Sequence, residues 1–206
     1  TTDLLPVAEP GPLGRFLSTE AQLRGQAVAS SFFTSGAFAA AAVLRVPGLT
    51  PSGEHGGWTG FAPDDLALGG LRDLPGVVVA CLAHPSDAPS VLRTCLAAAE
   101  DSGRTCVVVE PVSLYHERDL VQPGDGGWAA SYTPPSRWAE EHAEIGRASV
   151  WGEGEHLTIA AYGTGVRMAL RVASRLGRQG VGARVVDLRW LSPLPIADVV
   201  REAKAT

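Results

Sequence analysis

No run of lysine or arginine marks this chain, and its formal net charge is −5. It therefore lacks the basic stripe that a nucleic-acid-binding protein turns toward phosphates. No apolar run approaches the ~20 residues needed for a helix to cross a bilayer, so neither nucleic acid nor membrane is an expected partner. Residues 1–10 lack the basic-then-apolar order of a signal peptide. Cysteine is scarce. Cys81, Cys95 and Cys106 each fall in an apolar stretch, with no CxxC spacing. An odd, scattered set argues against a disulfide framework and a zinc site, and reads as small buried side chains. A reducing, cytoplasmic setting is expected. Asp64, Asp65 and Asp87 form no DxD-like constellation, so no metal site is expected on this chain.

What the chain does have is 206 residues, of which 45% are hydrophobic and 19% charged. That composition suits one or two globular domains. Leu4 to Glu9 reads as a strand, Pro10 to Gly14 as a breaker cluster, Glu20 to Phe33 as a helix and Val43 to Val46 as a strand. Gly48 to Pro63 holds five glycines and few apolar anchors, and reads as a long functional or mobile loop. The centre is clearer. Val77 to Cys81 is an unbroken apolar run, as in a strand buried on both faces. Ser86 is an expected N-cap, and Asp87 falls in the first helical turn, where a negative charge suits the helix dipole. Ala88, Val91, Leu92, Cys95, Leu96 and Ala99 then recur at helical spacing. Ser102 and Gly103 end the helix, and Thr105 to Val109 is a second buried strand. This is a βαβ unit, so the two strands should be parallel. The tail repeats the pattern: His156 to Tyr162 as strand, Val166 to Leu176 as helix, Ala183 to Leu188 as strand, and a last helix from Ile196. Two strands cannot cover their own edges, so this second unit is expected to be incomplete. The Gly163-Thr164-Gly165 turn opens a helix and suits an anion, but it lacks the third glycine of a nucleotide fingerprint.

Several phrases, in order, resemble one family. They are LLPVAE (Leu4 to Glu9), QLRGQA (Gln22 to Ala27), VLRVPG (Val43 to Gly48), LRDLPGVVVA (Leu71 to Ala80) and PSDAPSVLRTCLAAA (Pro85 to Ala99). VVVEPVSLY (Val107 to Tyr115), GDGGW (Gly124 to Trp128) and VVDLRWLSPLP (Val185 to Pro195) complete the set. The chain resembles the thiamine diphosphate-dependent 2-oxo acid dehydrogenase E1 components of beta-subunit type, and most nearly their fused alpha-beta form. The resemblance implies an α/β fold: a partial parallel-sheet, transketolase-like pyrimidine-binding domain over residues 1–121, lacking its usual N-terminal part. A linker over 122–150 and the first part of a transketolase-type C-terminal domain over 151–206 should follow.

The resemblance also implies chemistry. Family members decarboxylate a 2-oxo acid on thiamine diphosphate and pass the acyl group to a lipoyl carrier. Thiamine diphosphate and magnesium would sit mainly on an alpha-type partner domain or subunit in the complete assembly, with none firmly expected on this chain alone. Potassium is a further candidate near Ala99 to Gly103. The implied partners are an alpha-type E1 component, the lipoyl domain of E2 and further copies in a homo- or hetero-oligomer. The family's catalytic glutamate lies before the matched start of this chain, and its pyrimidine-side aromatics are replaced by Pro10 to Arg15. Counting back from Pro75, the family histidine falls on Pro63. His55, in the same loop, is the catalytic candidate. Glu9, and His84 at the carboxyl end of a parallel strand, are the cofactor-binding candidates. The chain by itself is expected not to turn over. The alternative is a degenerate, non-catalytic relative that serves as a scaffold or interaction module.

Overall fold

The computed structural model describes residues 4–49 and 64–206, with the backbone alone for Leu17 and residues 64–66. Two sheets organise the described residues. The first has the order β1-β2-β4-β3-β8, built from β1 (Val7–Ala8), β2 (Ala42–Gly48), β3 (Val78–Cys81), β4 (Thr105–Pro111) and β8 (Trp190–Ser192). Strands β1 to β4 pair in parallel, and β8 adds antiparallel to β3. The second sheet has the order β5-β7-β6, from β5 (Ser149–Trp151), β6 (Leu157–Ala161) and β7 (Ala183–Asp187).

The expected βαβ unit is present. Strands β3 and β4 are parallel neighbours joined through α4 (Asp87–Ser102). Every residue of β3 and β4 is buried, which is why their sequences run apolar without alternation. Cys106 and Val108 face one side with Val91, Cys95 and Ala99 of α4. Val107 and Val109 face the other, with Leu13 and Phe16 of α1 (Leu13–Gln22) and Leu68 and Leu71 of α3 (Asp64–Arg72). Each such valine contributes roughly 2 kcal/mol by leaving water. Helix α4 ends where expected. Gly103 adopts φ +63°, and the N–H groups of Gly103 and Arg104 return to the carbonyls of Ala99 and Ala98. The Gly103 bond is that of an αL cap, and glycine suits its left-handed position.

Several expectations need correction. The helix read from Glu20 begins at Leu13, because Pro12 lies just outside the first turn, where its missing N–H costs no helical bond. It runs through a π-helical stretch, Leu23–Val28, into α2 (Ala29–Phe33). Helix α3 was not read from the sequence, because Gly69 and Gly70 weaken its helical signal. Burial of Ala67, Leu68 and Leu71 outweighs their propensity. Ser86 has helical dihedrals and makes no capping bond; its hydroxyl pairs with His84 instead.

The second unit has three strands, because the short β5 pairs antiparallel with β7. Strand β6, helix α5 (Thr164–Gly177) and β7 make the expected parallel unit, and α6 (Ile196–Lys204) closes the chain. The segment read as a linker contributes fully buried Trp128 to a core shared with Ala83, Val166 and Val185. The three cysteines are free and buried. No described helix is long and apolar enough to cross a membrane.

Candidate functional site

In an open parallel sheet, ligands gather at the carboxyl ends of the strands. Here two polar clusters form at or near that end. The first grows from register. Arg45 pairs with Val108 across β2 and β4, so Glu110, two residues on, projects from the same face. The Arg45 guanidinium grips Glu110 through Nε–H to Oε1 at 2.7 Å and Nη2–H to Oε2 at 3.1 Å. Its Nη1–H donates to Glu9 Oε1 at 2.8 Å. The Tyr115 hydroxyl donates to Glu110 Oε2 at 2.8 Å. Burial, and then the Glu110 bond, push the Tyr115 phenol up to about 12. Glu9 is the outermost member, with its side chain 65% exposed.

The second cluster is built around His84, on the turn from β3 into α4. His84 is buried. Its Nδ1 lies 2.7 Å from the Ser86 hydroxyl and also accepts the Ser86 N–H. Its ring meets Trp128 edge-on at 4.9 Å and lies tilted against Trp151 at 4.8 Å. Burial lowers the imidazole below its ordinary value, with Asp87 opposing the shift. A neutral ring among indoles is a packing group with one polar tip.

Asp87 carries a bidentate pair with Arg189, both bonds 2.7 Å long. This pair links α4 to the connection between β7 and β8. Asp187, at the end of β7, is fully buried. Its Oδ1 accepts the Arg189 N–H at 3.0 Å, and its Oδ2 has no hydrogen-bond partner among the described residues. Burial pushes its carboxyl up to about 7. Gly163 covers the same strand ends: a Cβ there would lie 2.8 Å from Leu49 Cδ1 and 3.1 Å from Cys81 Sγ.

The structure thus places Glu9 in the arginine cluster and His84 in the tryptophan-lined joint, and no described contact joins them. His55 and Pro63 lie outside the described residues. His116, His142 and His156 are exposed. Among the described residues, no group of three or more His, Cys, Asp and Glu is placed to hold a metal. Sequence reasoning missed Arg45, Glu110, Asp187 and Arg189. Arg45 and Glu110 lie 65 residues apart, so no local spacing signals the pair. The only hint was an acid at the end of each buried strand, Glu110 and Asp187. A cavity of about 290 Å3 lies at the opposite, amino end of the first sheet, beside Pro75, Gly103 and Arg104.

Residues 146–206 match the family described as transketolase, C-terminal domain. Over 205 residues the chain is 27% identical to the pyruvate dehydrogenase E1 component subunit beta of Staphylococcus epidermidis, covering 100% of this chain and 56% of that protein. It is 31% identical over 142 residues to the same subunit of Bacillus subtilis, covering 69% of this chain and 38% of the relative. A 62-residue stretch is 42% identical to the 2-oxoisovalerate dehydrogenase subunit beta of Bacillus subtilis, covering 30% of this chain and 19% of that protein. Among solved structures, a split-gene transketolase in an inactive beta4 tetramer superposes with a TM-score of 0.67 at 19% identity, covering 98% of this chain and 55% of that one. At that identity the likeness shows the fold alone. The chain spans about half the length of the curated relative that it matches end to end.

Proposed function

We propose that this chain, which belongs to the transketolase-like family that includes the E1 beta subunits, acts with an alpha-type partner in decarboxylating a 2-oxo acid and passing the acyl group to a lipoyl domain. The observation that carries this reading is the likeness to an E1 beta subunit along the whole of this chain. Thiamine diphosphate would supply the carbanion chemistry, as cofactors do in such enzymes. The described residues do not by themselves fit that group. Glu9 is ion-paired with Arg45, His84 is enclosed by two tryptophans, and no described acid cluster would hold magnesium. In this reading the cofactor rests mainly on the alpha-type partner. This chain's share is the strand-end surface, with Glu9 at its rim and His55 as the candidate catalytic residue.

A second reading has its own support. With His84 enclosed by two tryptophans and Glu9 ion-paired with Arg45, the chain in this reading serves as a non-catalytic scaffold that keeps the fold and the assembly. One experiment separates the two. The full chain is mixed with an alpha-type E1 subunit, the complex is sized by light scattering, and thiamine diphosphate binding is followed by calorimetry. Acylation of a lipoyl domain from pyruvate or a branched 2-oxo acid is then measured. Turnover by the complex and by neither part alone supports the first reading, and loss of that turnover in His55→Ala assigns the histidine. A complex without turnover supports the scaffold. Absence of any complex sinks both.

A further inference from the structure

Arg189 lies between two acids and touches both. It occupies the connection from β7 to β8 with φ +56°. Its backbone N–H donates to Asp187 Oδ1, while its guanidinium is bound twice to Asp87 on α4. Asp187 is the more deeply buried of the two acids. An ionised Asp187 would hold a buried charge with Oδ2 unpartnered, which is costly in a low-dielectric setting.

Among the described residues, the titratable and charged groups that act on Asp187 are few. Asp87, on α4, opposes its ionisation, and Arg189 favours it. Cys81, on β3, faces it as a thiol whose own ionisation is pushed up by burial and then by Asp187. Its strand partners Ser149 on β5 and Ala161 on β6 bring no charge. Burial outweighs the help from Arg189, so Asp187 carries its proton up to about neutral pH.

We propose that Arg189 is a switch thrown by the proton on Asp187: while the proton is present the guanidinium clamps Asp87, and when it leaves to solvent the guanidinium moves to Asp187 and frees Asp87 beside His84. Among the described residues Arg189 is the cation that acts on Asp187, and its main chain is already anchored there, so only the side chain must turn. The exchange reaches further. The clamp ties the second sheet to α4, and the freed Asp87 is the group that favours a charged His84. None of this depends on whether the chain binds a cofactor.

Carboxyl-carbon NMR of the full chain, titrated from mildly acidic to alkaline pH, tests the switch. Asp187 should titrate near neutrality, and the Asp87 signal should move in the same step without protonating itself. In Asp187→Asn that Asp87 step should vanish. Titration of Asp187 in the ordinary carboxylate range, or an Asp87 profile unchanged by Asp187→Asn, overturns the proposal. Should that variant fail to fold, Asp87→Asn serves. It leaves Arg189 to Asp187, so the Asp187 midpoint should fall by about one unit or more, a roughly tenfold loss of proton affinity. An unmoved midpoint overturns the proposal equally.

Discussion

Asp87 gains twice from its position. It lies in the first turn of α4, where a negative charge suits the helix dipole, and it holds a guanidinium from 102 residues away. Both side chains of that pair are largely out of water. At mildly acidic pH, where Asp187 keeps its proton, replacing Asp87 with alanine would leave the Arg189 charge unpaired, and breaking a buried pair in this way costs about 3 kcal/mol. Urea unfolding of Asp87→Ala should show a loss of that order, whereas a loss below about 1 kcal/mol, the range of an exposed pair, would mean that the pair is solvated. Tyr115 offers a second test at this scale. Its phenol is held up by burial and by the Glu110 acceptor. Glu110→Gln removes the acceptor's charge, so the phenol should titrate closer to its usual value of about 10, followed by absorbance. The sign for stability follows. The folded phenol titrates above the unfolded one, so its contribution is complete below about pH 10 and is lost as pH rises toward about 12.

At the scale of elements, α6 is the instructive case. It turns Asp198 and Glu202 inward and leaves Ile196 and Val200 exposed. Arg147, Arg201 and the Ala148 N–H hold Asp198, while Arg184 and Arg201 hold Glu202. For Asp198, burial resists ionisation, but the bonds from Arg147, Ala148 and Arg201 outweigh it and bring the carboxyl down to about 2. A depressed folded value stabilises above the unfolded pKa of about 3.9 and is lost as pH falls toward 2. Acid unfolding monitored by circular dichroism should therefore be steep in that window and shallower in Asp198→Asn. Equal slopes would remove Asp198 from the account. Apolar periodicity locates this helix but does not say which face packs, because the arginines that draw its acids inward come from residues 147 and 184. Helix α4 is the opposite case. Its partners are the strands beside it in sequence, so Val91, Cys95 and Ala99 identify both the helix and its buried face. Of the site candidates, His84 could be placed at a strand end from sequence, whereas its enclosure by Trp128 and Trp151 could not.

At the scale of the whole molecule, two sheets meet over the carboxyl ends of β2, β3 and β4, and Gly163 is a point of close approach. It combines φ +54° with neighbours from β3 and β4 and from Leu49 just past β2. Gly163→Ala would force a Cβ against Leu49 and Cys81 in a backbone conformation that L residues rarely adopt. Strain and overpacking of this kind cost about 1–3 kcal/mol. Thermal unfolding should drop accordingly, while Gly177→Ala, where a Cβ meets nothing within 4 Å, should not destabilise. Strand β8 makes the union firmer, since Trp190 and Ser192 lie in the C-terminal part of the sequence yet pair with Ala80 and Val79 of the first sheet.

The sequence by itself determined the α/β class, both parallel βαβ units, the burial of the three cysteines and the family. These follow from short-range order: unbroken apolar runs, helical spacing and phrases in sequence. Only the tertiary structure decided that β8 crosses to the first sheet, that Arg45 joins Glu9 to Glu110, and that Arg189 spans Asp87 and Asp187. Apart from the short reach of Arg189 to Asp187, those contacts join residues tens of positions apart. They are chosen by which charges must share a dry interior, and that is a property of the assembled sheets and of no local stretch of chain.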